Sequence, residues 1–197
     1  MRHLGLIFLL IISQSAFCQL SFDSTKKELI YSEVVQSPNN SSNQIYLNMN
    51  EWFAKTYNSS NNVIQLNDKE SGKIIGKGGF TISPIHQWGN IKTPQTFFVN
   101  YTLTIQIKDG KYKYEFSNIT VRVTQENASF SIETYYNINK EKLREEAAKS
   151  IKNEKQLEKL VESTYNFQNE IFKLSDENIL SIIKSIKNNA VAKKDDW

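Results

Sequence analysis

The chain has 197 residues, with 24 Lys and Arg against 21 Asp and Glu, a formal net charge of +3 and a single cysteine. A balance this close gives no overall electrostatic footprint for a nucleic acid or other long polyanion. One cysteine excludes an intrachain disulfide and any thiolate zinc cluster, and the length suits one domain with its own core.

In chain order, the first element is an export signal. Arg2 supplies a short basic region, Leu4–Ile12 is an apolar run, and Ala16-Phe17-Cys18 fits the small-x-small pattern before a signal-peptidase cut. Residues 1–18 are therefore expected to be removed, leaving Gln19 as the mature start and a periplasmic or extracellular protein. The competing reading, acylation of Cys18, fits worse: Phe17 stands where a small residue is needed and Ser15 where Leu is usual. No later stretch approaches the ~20 apolar residues of a membrane span, so no transmembrane segment is expected after processing.

Tyr31–Gln36 reads as a strand that ends in the turn cluster Ser37-Pro38-Asn39-Asn40. A helix follows, capped within Ser41–Asn43, with Ile45, Met49, Trp52 and Thr56 on one stripe and Tyr46, Phe53 and Tyr57 beside it. Val63–Leu66 and Lys73–Ile82 are strands joined by a turn over Asp68–Gly72. Ser83–Gln95 reads as a loop containing His86 and Trp88.

The clearest pattern is the next hairpin. Val99, Tyr101, Leu103, Ile105 and Ile107 alternate with polar residues up to Asp109-Gly110, a type I′ turn. With Lys108 opposite Lys111, Ile107 pairs with Tyr112, Ile105 with Tyr114 and Leu103 with Phe116. The apolar parity then switches to Ile119, Val121 and Val123, which a strict ladder would turn to solvent. One extra residue near Ser117-Asn118 restores it, pairing Tyr101 with Ile119, Val99 with Val121 and Phe97 with Val123, so a β-bulge is predicted there. Ala128–Ile132 is a further short strand reached through Gln125–Asn127.

From Asn139 the texture turns to Lys, Glu, Leu and Ile at helical spacing, the charges forming a solvated face. Two helices are predicted: one with Leu157, Leu160, Val161, Phe167, Ile171 and Leu174, and a second capped by Ser175 with Ile179, Ile182, Ile183 and Ile186. Leu174 and Ile179 would staple that cap, and Lys193–Trp197 would fray. The resulting organisation is a signal peptide (1–18), an α+β domain (19–138) and a helical C-terminal extension (139–197).

Ile75-Gly76-Lys77-Gly78-Gly79-Phe80-Thr81-Ile82 matches the GXXG core by which KH domains clamp single-stranded nucleic acid. That loop must open a helix, yet Pro84, Gly89 and Pro94 follow at once. The reading preferred here is a strand lying close under another element, with Trp52 or Phe53 as the overlying mass.

Trp52 in its helix, Val63–Leu66, Gly72–Gly78, Tyr101–Ile105 and Phe116–Ile119 together resemble domain-of-unknown-function family 4468, exported Bacteroidetes proteins with a TATA-binding-protein-like fold. The resemblance covers roughly Tyr31 to Tyr136. It implies an antiparallel sheet in the order strand, helix, four or five strands, helix, and carries no site residues. The long helical extension is less typical of that family. Asp23-Ser24-Thr25 resembles the O-glycosylation sequon of such bacteria, with Ser24 as acceptor.

No zincin, nucleophile-elbow or phosphate-loop motif is present, and no catalytic residue, metal ligand or cofactor is assigned. His86, the one histidine left after processing, and Trp88 are the candidate binding residues, closing one end of the sheet. The leading expectation is a non-catalytic exported module that binds an envelope or secreted protein, or a second copy, through its C-terminal helices. The alternatives are a small-ligand-binding module, a KH-like nucleic-acid binder, and a hydrolase using paired carboxylates, which leave little trace in sequence.

Overall fold

The computed structural model describes residues 19–57, 59–123 and 128–190. The expected signal peptide, the Gln125–Asn127 connection and the Lys193–Trp197 end lie outside the described residues, as does the side chain of Trp88.

The main sheet runs β1 (Gln19–Asp23), β2 (Glu28–Gln36), β8 (Lys111–Val123), β7 (Phe97–Lys108), β4 (Lys73–Ile82) and β3 (Ile64–Asp68), all antiparallel. A short β9 (Ser129–Ser131) pairs with the far part of β8, beyond the reach of β2. Helix α1 (Ser42–Thr56), a four-residue turn of helix α2 (Ser60–Val63), a 3₁₀ turn (Ile132–Tyr135), α3 (Lys140–Ala148) and α4 (Glu154–Ala190) complete the chain. The α+β antiparallel architecture with a helical C-terminal extension agrees with the sequence reading.

Register explains why one sheet face is the core. β7 alternates without a break, Phe97, Val99, Tyr101, Leu103, Ile105 and Ile107 buried and the residues between them more open. Its pairing with β8 is as predicted: Ile107 with Tyr112, Ile105 with Tyr114, Leu103 with Phe116, Val99 with Val121 and Phe97 with Val123. The slip also falls where parity demands it. Between the Asn100–Thr120 and Thr102–Ser117 pairs, Tyr101 faces both Asn118 and Ile119, and Asn118 takes the left-handed φ of 50°. Ile119 and Val121 are thereby returned to the core.

Helix α1 starts at Ser41, whose hydroxyl accepts from the Gln44 N–H at 3.3 Å. Its face of Ile45, Met49, Trp52 and Phe53 is buried. Phe53 explains the glycines of β4: a methyl at Gly76 would come within 2.6 Å of its Cε1. At Gly78 the same methyl would meet the Tyr101 and Tyr57 hydroxyls, at 2.6 and 2.7 Å, so the strand lies under aromatic rings. The KH-like reading is corrected here, since the glycines sit inside a strand between β3 and β7 and open no helix.

The C-terminal extension differs from expectation. A single helix of 37 residues replaces the predicted pair. Ser175 sits in line with Ile171 and Ile179 on the buried stripe, and its hydroxyl donates to the Ile171 carbonyl four residues back at 2.8 Å. A serine satisfied in this way inside a helix has no role in starting one. The stripe Ile171, Ile179, Ile183, Ile186 and Ala190 joins the core of the sheet and α1, while Leu157 and Val161 are buried where α3 packs on α4.

Polar ties fix α4 on the sheet. The Tyr31 hydroxyl donates to Asp176 at 2.8 Å, and the Trp52 indole N–H donates to Ser185 at 3.0 Å. Glu33, 8% exposed, points into the core face, where it accepts from the Tyr114 hydroxyl at 2.7 Å and pairs with Lys187 at 2.5 Å. Burial and the Glu33 charge push the neighbouring Tyr112 hydroxyl well above the ordinary tyrosine range. Among the described residues no helix is long and apolar enough to cross a membrane.

Candidate functional site

The segment expected as a loop is a hairpin, and it builds one wall of a groove against α4. β5 (Ile85–Trp88) and β6 (Ile91–Pro94) form a separate two-stranded sheet, turned at Gly89 with φ 60°. Prolines at 84 and 94 bracket it, and the Gln95 N–H donates to the Pro84 carbonyl at 3.0 Å, closing the base of the hairpin. Its period-two signal is masked because β6 is exposed along all four residues and has no apolar face to read.

The hairpin rests on α4 rather than on the main sheet. The Ile85 N–H donates to Glu170 at 3.0 Å, and the Ser163 hydroxyl donates to the Gln87 carbonyl. His86 is half-buried, with its ring 4.7 Å from that of Phe167, and Gln95 approaches its Nδ1 at 3.5 Å. Phe167 in turn lies 6.0 Å from Phe97 of the main sheet, so an aromatic row runs from the core to the hairpin.

Between hairpin and helix runs a groove of about 630 Å³. Ile85, Gln87 and Lys92 line one side and Lys159, Glu162, Asn166 and Phe167 the other. The sequence reading singled out His86, which the structure places against Phe167 behind this lining rather than within it. The α4 contributors were missed, because lysine, glutamate and asparagine on a long helix read as an ordinary solvated face.

Glu162 and Glu170 both border the groove, eight residues apart on α4, a rise of about 12 Å. Glycosidase carboxylates stand about 5–9.5 Å apart, and these two are otherwise engaged. The hydrogen bond from Lys140 holds the Glu162 carboxyl below its ordinary range, which keeps it ionised and without a proton to give. Among the described residues no group of three or more His, Cys, Asp or Glu is placed to hold a metal ion. What the groove offers is mixed: both charges, amides, and the apolar surfaces of Phe167 and Ile85. On the exposed strand β6, Ile91 is 67% exposed, the highest among the described large apolar residues.

Ser24 lies exposed in the β1–β2 turn, where Asp23 accepts from the Thr25 and Lys26 N–H groups at 2.9 and 3.1 Å.

Comparison with known proteins places this arrangement. Among curated proteins none matches the chain. Two crystal structures share the fold: a DUF4468 family protein from Bacteroides ovatus, 21% identical with a TM-score of 0.52, covering 86% of this chain and 90% of its own; and a TBP-like protein from Parabacteroides distasonis, 17% identical with a TM-score of 0.50, covering 82% and 94%. The model of the family described as a domain of unknown function with TBP-like fold matches residues 31–122, the segment from β2 to the end of β8. Over residues 31–122 the chain therefore resembles the DUF4468 family, and it shares the TBP-like fold of the two crystal structures.

Proposed function

We propose that the protein is an exported, non-catalytic interaction module that holds a partner in the groove between β5–β6 and α4. The observation that carries this reading is the placement of the hairpin. It stands off the main sheet, keeps the whole of β6 exposed with Ile91 on it, and presents Ile85 in a groove lined by both charges. An exposed apolar pair with a polar surround and an unpaired strand edge is suited to an extended segment of another protein. The apolar stripe of α4 is covered within the chain, so the hairpin replaces the C-terminal helices as the contact surface.

The test is cross-linking in intact cells with tagged full-length protein and the Ile91→Asp variant, adducts being read by mass spectrometry. The proposal expects a protein adduct lost in the variant, and mature protein beginning at Gln19. Adducts unchanged by the substitution would contradict the groove assignment, and retention of residues 1–18 would contradict export.

A second reading, a small polar ligand in the same groove, rests on Phe167, whose ring offers a flat wall among Lys159, Glu162 and Asn166. Phe167→Ala would then abolish uptake of a metabolite recovered with the purified protein, while leaving protein adducts unaffected.

A further inference from the structure

A separate cluster lies on the other face of the main sheet, at the end carrying the β7–β8 turn. Lys108 and Lys111 stand directly opposite each other, and Lys113 stands opposite Gln106. Gln106 also faces Lys73 across β4, and Lys113 faces Val34 across β2. Four lysines thus meet on one end of one face, contributed by three adjacent strands.

Like charges placed directly opposite each other destabilise a sheet. The neighbouring carboxylates give limited relief because each has another partner. Asp109, inside the turn, accepts from the Ser42 N–H at 2.7 Å. Asp68, opposite Lys73, accepts from the Glu70 and Ser71 N–H groups at 3.0 and 3.1 Å. Glu115 pairs with Lys113 at 2.8 Å and with Lys26 at 3.8 Å. Among the described residues Lys73, Lys108 and Lys111 make no ion pair.

Three of these lysines border a depression of about 240 Å³, lined by Val34, Gln106, Lys108, Lys111, Tyr112 and Lys113, with Lys73 beside it across from Gln106. Val34 is 45% exposed there. The combination is specific in chemical type. Unpaired ammonium groups call for a compact anion of more than one charge. The Gln106 amide adds neutral donors, and Val34 offers a contact for carbon. We infer that this depression binds a phosphate monoester, whose second ionisation near pH 6 makes it a dianion with three acceptor oxygens at neutral pH. Lys108 and Lys111 hold the phosphate, Gln106 donates to an oxygen, and Val34 packs on the organic group.

The experiment follows backbone amide resonances of isotope-labelled protein during titration with glycerol phosphate, and separately with phosphatidylcholine vesicles carrying phosphatidic acid. The expected result is a saturable shift confined to residues around Lys108–Lys113 and Lys73. It should be weakened about tenfold or more in the Lys108→Gln/Lys111→Gln double variant, since a charged hydrogen bond is typically worth that factor. Response to glycerol phosphate assigns a soluble ester; response to the vesicles alone assigns the same group on a lipid. Lys111→Glu supplies an independent readout, because it turns the opposed pair into an attractive one: the melting temperature rises while binding is lost. Absence of a saturable shift in both titrations, or equal affinity in the double variant, overturns the proposal.

Discussion

β7–β8 and β5–β6 are both antiparallel hairpins, and nearly everything else about them differs. In the first, every second residue of β7 is buried, the turn is Asp-Gly, and a bulge at Asn118 corrects the one place where the apolar parity changes. In the second, β6 is exposed throughout, and the hairpin is held by two hydrogen bonds to α4 and the His86–Phe167 contact. α4 serves both: residues 171–190 close the core over the first hairpin, and residues 159–170 carry the second. Burial on one face fixes register and stability, while a hairpin without that burial is free to present its side chains outward.

The largest expected effect comes from removing what closes the core. A chain cut after Asn137 loses Ile171, Ile179, Ile183 and Ile186, each no more than 3% exposed. At ~1.5–3 kcal/mol apiece that is roughly 6–12 kcal/mol, comparable with the ~5–15 kcal/mol of a whole domain. Circular dichroism should show no cooperative thermal transition. Such a truncation is therefore no test of the extension as a docking element, because the sheet does not outlast it.

Next comes the buried pair. Lys187→Met removes the cation beside the buried Glu33 carboxylate and leaves it the Tyr114 hydroxyl, at an expected cost of about 3 kcal/mol in urea unfolding. Adding Glu33→Gln should restore most of it; a double variant as unstable as the single would mean that the loss is one of packing. Gly76→Val, whose Cβ would meet the Phe53 ring, should cost about 1–3 kcal/mol by overpacking. A neutral result would show that α1 lies farther from β4 than described. At the small end, Ile91→Asp on the exposed hairpin should change stability by less than about 0.5 kcal/mol while removing cross-links, separating surface function from scaffold.

The same contrast decides what could be read from the amino-acid sequence. β7–β8 was legible down to individual pairs because a buried face imposes period two and a slip of one residue has visible consequences at Ile119 and Val121. Phe53 over Gly76 was legible for a related reason, a glycine run inside a strand needing something above it. β5–β6 was read as a loop, since Ile91-Lys92-Thr93-Pro94 buries nothing. β1 was missed as an edge strand, with Phe22 53% exposed. The two-helix reading of 139–197 failed at Ser175, whose cap-like sequence context is indistinguishable from a serine that donates to its own helix. The groove follows from those failures. Its α4 side is made of residues that any solvated helix carries, and only the tertiary placement of the hairpin brings them opposite Ile85 and Gln87.

Native-state hydrogen exchange on the intact protein tests the central claim, that α4 and the main sheet are one unit with the β5–β6 hairpin appended to it. The account predicts that amides of β7, β8 and residues 171–190 lose protection together, through global unfolding, as denaturant is raised, while β5–β6 amides exchange through smaller openings. Amides of residues 171–190 exchanging independently of β7 and β8 would contradict it, and would make the C-terminal helix a separable extension.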